Sequence, residues 1–268
     1  MMACLYRRIN YWWILYLAYH IKSITIMKFY LKKLPVISIS IFYIFCLIAA
    51  YFYPGSEKEI INFKSENYSF THNFLSELGC LKTNTDETNP NIIQADNTIS
   101  MLFFNSGLIL IGFTISLFYL NFKNIFNHIK DNKTCKSLSL ITSYIGFIAG
   151  ILFSGVGFVP DDLSFEWHVF FANGAFLLLF FVSIFHTLTI YYSNNINNIY
   201  SVGYLIFTIC LLFYVYLIFY GPQISPYTNF TEEQLILQVV SQKMIVIVFT
   251  FSMLSQVIAL NRFLIYRK

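Results

Sequence analysis

Apolar runs of roughly 20 residues recur six times along the chain, and this feature constrains the fold more than any other. A run of that length is what a helix needs to cross the hydrocarbon core of a bilayer. Only 11% of the 268 residues are charged, against about 25% in an ordinary soluble domain, and the mean hydropathy is +0.62. Because a water-soluble core cannot absorb this excess, lipid must solvate most of the surface.

The pattern predicts an all-α fold, a polytopic helical membrane bundle with six transmembrane helices. The spans are expected at residues 35–53, 99–120, 138–159, 167–192, 200–220 and 236–264. They make one membrane domain, residues 35–264, with a polar exterior loop at 54–98 that contains a short helix-like piece, Phe70–Leu78. Residues 265–268 are expected to form a cytoplasmic tail.

Lysine and arginine residues predict which helix ends face the cytoplasm. With both termini cytoplasmic, 13 of the 17 basic residues lie on inner segments, and those outside are Lys58, Lys64, Lys82 and Lys243. Nearly all acidic residues then lie outside. We expect a multi-pass protein of the plasma (inner) membrane of a bacterium. Topology thus explains the net charge of +4, so membrane lipids and not nucleic acid are the expected partners, and the oligomeric state stays open.

Residues 1–34 are expected to be a cytoplasmic or interfacial segment. Their apolar run, Tyr11–Ile21, is only about half the length of a span. No small-residue cleavage site follows it, as a signal peptide would require. The run is therefore either interfacial or part of an over-long gene start, in which case Met27 is the expected initiator.

Two stripes of residues predict how the helices pack. The third span carries small residues on one face, which is typical of close helix contact within a chain or between two copies: Ser143, Gly146, Gly150, Ser154 and Gly157. The sixth span carries a polar stripe, which should face inward because lipid penalises it: Gln238, Gln242, Ser252 and Gln256.

Polar groups at the edge of the membrane are candidates for chemistry, because burying them costs free energy that packing alone does not require. In the six-span topology one set converges at the outer leaflet. The candidate catalytic residues have the types needed for general acid and base work: Ser76, Glu77, Asp161 and His168. The candidate ligand-binding residues are Asn105, Asp162 and Gln242.

Imidazole and carboxylate groups also suit a divalent metal as a possible cofactor. The candidate ligands, if the loop folds back over the helix ends, are His72, Glu77, Asp161 and His168. His186 lies on the same helical face as His168 but about 27 Å away, so the two cannot share a metal. Structural interpretations stay open: Ser76 and Glu77 also suit helix capping, and Asp161 and Asp162 suit a solvated turn that caps the fourth helix.

One family shares a short pattern with this chain. The pattern consists of Phe74-Leu75-Ser76-Glu77-Leu78-Gly79, then Phe104-Asn105 and Gly107, then Pro160-Asp161 and His168. It resembles domain-of-unknown-function family 998 over residues 36–264. The resemblance implies six spans and a polar cluster by the loop, but no reaction, since the family has no established activity. Here the loop after Gly79 is longer than the family pattern, and residues 1–30 have no counterpart.

A looser similarity is to membrane-embedded hydrolases of the alkaline ceramidase type, which also gather Ser, Asp and His near one membrane face. This chain lacks their late HxxxH pair. Three functions remain open. The protein is an enzyme that processes a lipid or amphiphile at the outer leaflet, a non-catalytic binder or transporter with a polar cavity lined by the same groups, or a structural subunit whose glycine face is a dimer surface.

Overall fold

The structure is a computed structural model that describes residues 25–225 and 228–265, with side chains described as far as residue 260. Within those residues, six helices are long and apolar enough to cross a membrane. They are α1 (Leu34–Phe52), α2 (Thr98–His128), α3 (Lys133–Phe158), α4 (Phe165–Tyr191), α5 (Ser201–Tyr220) and α6 (Glu232–Ile265). The protein is an all-α, multi-pass integral membrane protein, as the sequence predicts.

Several helices extend beyond the apolar runs that predict them. The first helix already includes the first described residue, Thr25, ahead of the predicted start at residue 35, and passes through a π-helical turn at Phe29–Lys33 into α1. α2 continues from the predicted end at residue 120 to His128. Hydropathy detects only the part of a helix in hydrocarbon, whereas the backbone hydrogen bonds continue into the interface. The run Tyr11–Ile21 and residues 266–268 lie outside the described residues.

Helices that follow one another along the chain pack against one another, so the bundle is a ring that runs from α1 to α6. Contacts between α1 and α6, which close the ring, are sparser, and there the hydroxyls of Tyr43 and Thr250 lie 3.0 Å apart. All six helices line a central apolar cavity of about 30 Å³, through Ile39, Ile111, Phe153, Leu179, Phe207 and Phe249 among others. Only a small molecule fits a space of this size.

The small-residue face of α3 packs inside the molecule, against α2. A Cβ atom added to Gly146 would lie 2.2 Å from the Tyr119 ring, and one added to Gly150 would lie 2.4 Å from Ser116 Oγ. The predicted close helix contact is therefore confirmed. The hypothesis that this face is a dimer surface is wrong, because α2 of the same chain already occupies it.

The polar stripe of α6 faces inward, as predicted. Gln238 Nε2 donates to the carbonyl oxygen of Pro222 at 3.0 Å, and Ser252 Oγ donates to that of Gly203 at 2.9 Å. Gln256 Nε2 donates to another carbonyl oxygen on the α5 side of the bundle. These bonds join α6 to α5 and to the connection between them.

The segment between α1 and α2 is folded. Strand β1 (Ser56–Lys58) pairs antiparallel with β2 (Phe63–Ser65), and a 3₁₀ helix, Leu75–Gly79, lies against α2. The helical part is therefore shorter than the predicted piece Phe70–Leu78. We call the end of the bundle that carries this segment the loop end. The α3–α4 turn and the α5–α6 connection are at the loop end as well.

Candidate functional site at the loop end

Glu77 is the centre of a hydrogen-bond network at the loop end. Its Oε1 accepts from the backbone N–H of Phe74 at 2.8 Å, as in a capping box, and pairs with Lys58 Nζ at 3.1 Å. Its Oε2 accepts from Asn73 Nδ2 at 2.7 Å and from the Tyr53 hydroxyl at 3.1 Å. With four donors on two oxygens, the carboxylate holds the loop together, which bears out the capping interpretation of Glu77.

The partner of Glu77 is buried too: the Lys58 side chain is 8% exposed. Burial lowers the pKa of Lys58, but the negative charges of Glu77 and Asp86 outweigh that effect, so the pKa lies above its ordinary value. The lysine therefore stays charged, and the ion pair ties β1 to the 3₁₀ helix.

Asn105 and Gln242, both candidate ligand-binding residues, hold the two ends of the 3₁₀ helix. Asn105 Nδ2 of α2 donates to the carbonyl oxygen of Gly79 at 2.9 Å. Gln242 Oε1 of α6 accepts from the N–H of Leu75 at 2.6 Å. Neither side chain lines the central cavity. The structure places them against the loop backbone, and not in the polar cavity expected of a transporter.

Asp162 lies in the turn between α3 and α4 and also bonds to the loop. Its Oδ2 accepts from the backbone N–H groups of Leu81 and Lys82 at 2.9 and 3.0 Å. Its Oδ1 is buried and has no hydrogen-bond partner among the described residues. The N-cap of α4 is Ser164, so the interpretation that Asp162 caps this helix is wrong: the carboxylate reaches the loop instead.

Lys243 of α6 is a further anchor and is not among the candidate residues predicted from the sequence. Its Nζ donates to the carbonyl oxygen of Asn73. The same nitrogen lies 5.3 Å from the centre of the Tyr68 ring and 5.1 Å from that of Phe70, in cation–π geometry. A single lysine inside an apolar run is the sequence signal for such an anchor.

The four candidate metal ligands do not come together. Glu77 bonds to Lys58, while His72 Nε2 lies 3.0 Å from Glu232 Oε1 and the His72 ring stacks on Phe63. In the part of the chain that the structure describes, no three His, Cys, Asp or Glu side chains form a group that could hold a metal ion. The loop does not fold back over the helix ends in the way the metal hypothesis requires.

His168 keeps one ring nitrogen free. Its Nδ1 lies 2.7 Å from the carbonyl oxygen of Val159. Because a carbonyl oxygen can only accept, Nδ1 carries the proton of the neutral ring, and Nε2 is left as an acceptor. No group within residues 25–225 or 228–260 makes a hydrogen bond to Nε2.

Asp161 lies beside His168 and also keeps its polar atoms free. Burial raises the pKa of the Asp161 carboxyl; nearby His168 opposes this effect, and Asp86 and Asp162 add to it, so the pKa lies above its ordinary value. None of the described side chains or backbone groups makes a hydrogen bond or ion pair with this carboxyl. A half-buried acid and a free ring nitrogen are thus neighbours at the loop end.

Ser76 is the remaining candidate catalytic residue. It is half-buried, its Oγ makes no hydrogen bond to the described residues, and its carbonyl oxygen accepts from Cys80 Sγ. No interaction within the described ranges joins it to Asp161 or His168. The structure therefore brings together two of the four candidate catalytic residues.

Exposed apolar side chains surround the pair of Asp161 and His168. They lie at the end of α3, in the turn and at the start of α4: Phe158, Leu163, Phe165, Trp167 and Phe170. Aromatic side chains at a helix end are typical of the interface between membrane and water. The pair therefore lies where the lipid-facing surface of the bundle meets water.

A second polar cluster lies at the opposite end of the bundle. The Tyr119 hydroxyl is 3.1 Å from that of Tyr204 and 3.3 Å from His186 Nδ1. All three side chains are fully buried, and the His186 ring stacks on Tyr204. The partners of His186 are not predictable from the sequence, since one tyrosine in each of two apolar runs is a weak signal.

We compared the chain with family models, curated proteins and solved structures. None of the three comparisons gives a match. The similarity to family 998 rests on its short motifs and stays a prediction.

Proposed function

We propose that this protein binds an amphiphile at the outer leaflet of the membrane, with the polar head of the ligand at Asp161 and His168. One observation supports this most: these two neighbouring residues keep free polar atoms, whereas Glu77, Asn105 and Gln242 are bonded within the protein. In this proposal both termini are cytoplasmic, as the distribution of basic residues favours.

The head group that suits this site is an amine. The Asp161 carboxylate and His168 Nε2 both accept hydrogen bonds, and Asp162 Oδ1 is a third acceptor without a partner among the described residues. A protonated primary amine offers three N–H donors and a positive charge. That charge offsets the acidic groups around Asp161, which include Asp86.

The apolar part of the ligand has a surface beside the pair. Trp167 is 59% exposed and Leu163 63% exposed, and both are within a few residues of His168. An alkyl chain that lies along these side chains stays in lipid while its head reaches Asp161. The amphipathic Trp167 ring is suited to this boundary.

Processing of the same ligand is the second candidate function. Because Nδ1–H is held by Val159, His168 Nε2 is oriented as a base, and the raised pKa of Asp161 favours a carboxyl that can give up a proton. The two functions use the same residues, but binding of an amine uses the Asp161 carboxylate and processing uses the protonated carboxyl.

The test is thermal unfolding of the detergent-purified protein with dodecylamine, dodecanol or dodecanoate at equal mole fraction in the micelle. Dodecylamine is expected to raise the Tm most. Asp161→Asn should abolish the difference and His168→Ala should reduce it, whereas the exposed control Glu66→Ala should keep it. Equal Tm shifts with all three ligands would overturn the proposal. Mass spectrometry of the recovered ligand separates binding from processing.

A further inference from the structure

The central cavity is lined by eleven side chains from all six helices, and ten of them are apolar. The exception is Thr250 of α6. Its hydroxyl donates to the carbonyl oxygen of Val246 at 2.9 Å and lies 3.0 Å from the Tyr43 hydroxyl, which is then the donor of that pair. A buried water needs about three polar partners. Because this lining does not offer them, the cavity favours an apolar molecule over water.

Aromatic rings hold the walls of the cavity in place. Phe207 packs against Phe249, with ring centres 5.3 Å apart. Phe176 packs against Phe153 at 6.4 Å and against Tyr214 at 5.0 Å. Since each lining ring is supported by another ring, the walls cannot close by small movements of single side chains. A molecule in the cavity therefore gains dispersion contacts with lining atoms that have no protein neighbour on that side.

The cavity borders the loosest helix contact of the bundle. Six of its eleven lining residues belong to α1 and α6, between which contacts are sparser than between other neighbours in the ring. In the part of the chain that the structure describes, one side-chain hydrogen bond joins these two helices, that of Tyr43 and Thr250. Ile44 and Leu47 of α1 are exposed and so face lipid. An apolar solute, which concentrates in hydrocarbon, needs to pass only this contact to reach the cavity.

We propose that the central cavity is a binding site for one small apolar molecule of the class of dissolved gases, such as dioxygen. Its volume sets this class. About 30 Å³ exceeds the roughly 10–15 Å³ that one water requires and is far below the roughly 150 Å³ of a cavity that binds benzene. An alkyl chain or a ring is therefore too large. The cavity shares no residue with the amphiphile site at Asp161 and His168, so each proposal stands without the other.

Xenon is the probe for this site, because it is a single polarisable atom that enters apolar cavities. The full chain, with ¹³C-labelled isoleucine methyl groups and in detergent micelles, is titrated with xenon under pressure and followed by nuclear magnetic resonance. Ile39, Ile111 and Ile245 line the cavity, so their methyl shifts should change and saturate. Ile44 and Ile209 are exposed to detergent, so their shifts should change in proportion to pressure. Lining methyl groups that do not shift, or that shift without saturating, would overturn the proposal.

A substitution that fills the cavity is the second test. Val246→Leu adds one methylene group to a lining side chain and should raise the xenon pressure at half-saturation several-fold. The control Val248→Leu adds the same group on the same helix at a residue that does not line the cavity, and should leave that pressure unchanged. If both variants bind xenon as the native chain does, xenon binds elsewhere and the proposal is wrong. The titration of the native chain stands even if Val246→Leu impairs folding.

Discussion

Polar side chains have different hydrogen-bond partners at the two ends of the bundle. At the loop end, Glu77 and Asn105 bond to the folded loop. At the opposite end, the hydroxyls of Tyr119 and Tyr204 bond to each other and lie next to the His186 ring. The loop supplies free N–H and C=O groups, whereas a transmembrane helix uses its backbone groups internally. Polar side chains beside the loop can therefore bond to its backbone, whereas polar side chains between helices bond to one another.

The largest expected effect is at the loop end. Glu77→Ala leaves buried Lys58 without its partner, and removal of one member of a buried pair costs about 3–5 kcal/mol. The measurement is the free energy of unfolding in mixed micelles. The control Glu66→Ala, an exposed residue of the same loop, should change it by less than about 0.5 kcal/mol. A similar small change for Glu77→Ala would contradict an architectural role.

Replacing glutamine by leucine at two positions of α6 compares the two ends of the bundle directly. Gln242→Leu removes the acceptor of the Leu75 N–H and should cost about 1–3 kcal/mol. Gln256→Leu removes the hydrogen bond from Gln256 Nε2 to the carbonyl oxygen of Tyr200 and should cost less, on the order of 0.6 kcal/mol, as for interhelical hydrogen bonds in membranes. Equal losses in the free energy of unfolding for the two variants would show that the two ends do not differ in this way.

The ion pair at the loop end predicts a pH dependence. The pKa of Lys58 in the folded protein lies above its ordinary value of 10.5. Its stabilising contribution is therefore complete below pH 10.5 and is lost as the pH rises through the folded pKa. Unfolding measured from neutral to alkaline pH should show this loss in the native chain. In Lys58→Met the loss should be smaller; parallel profiles would show that the pair contributes nothing.

The smallest effect is expected for Tyr119→Phe, which removes one hydroxyl from the cluster at the opposite end. The cost should be about 0.6 kcal/mol. The informative readout is the His186 tautomer, because Nδ1 loses the Tyr119 hydroxyl as its hydrogen-bond partner. A tautomer ratio unchanged from the native chain would show that Tyr119 does not donate to His186.

Six spans are predictable from the sequence because each needs only its own apolar run. Helix ends are less predictable, as the helical turn at Phe29–Lys33 and the end of α2 at His128 show, since the segments beyond the hydrocarbon are polar and leave no hydropathy signal. The small-residue face of α3 predicts close contact correctly, but periodicity does not say whether the partner is α2 or a second copy.

The residues of the candidate site are predictable by type, and their partners are not. Asp162 bonds to Leu81 and Gln242 to Leu75, contacts between distant parts of the chain that no local pattern encodes. The residue types therefore group Glu77 and His168 together, although only Glu77 makes hydrogen bonds within the loop. Capping, which suits the same residue types, is what the loop uses Glu77 for.

Hydrogen–deuterium exchange of loop peptides, read by mass spectrometry, tests the central claim most directly: the loop is a folded unit attached to the helix ends. In the native chain, the amides of Phe74, Leu75 and Leu81 should be protected, because side chains accept from them. Glu77→Ala should remove protection across the 3₁₀ helix, while His168→Ala should leave it unchanged. Loop amides that exchange in the native chain as fast as an unfolded peptide would contradict the account.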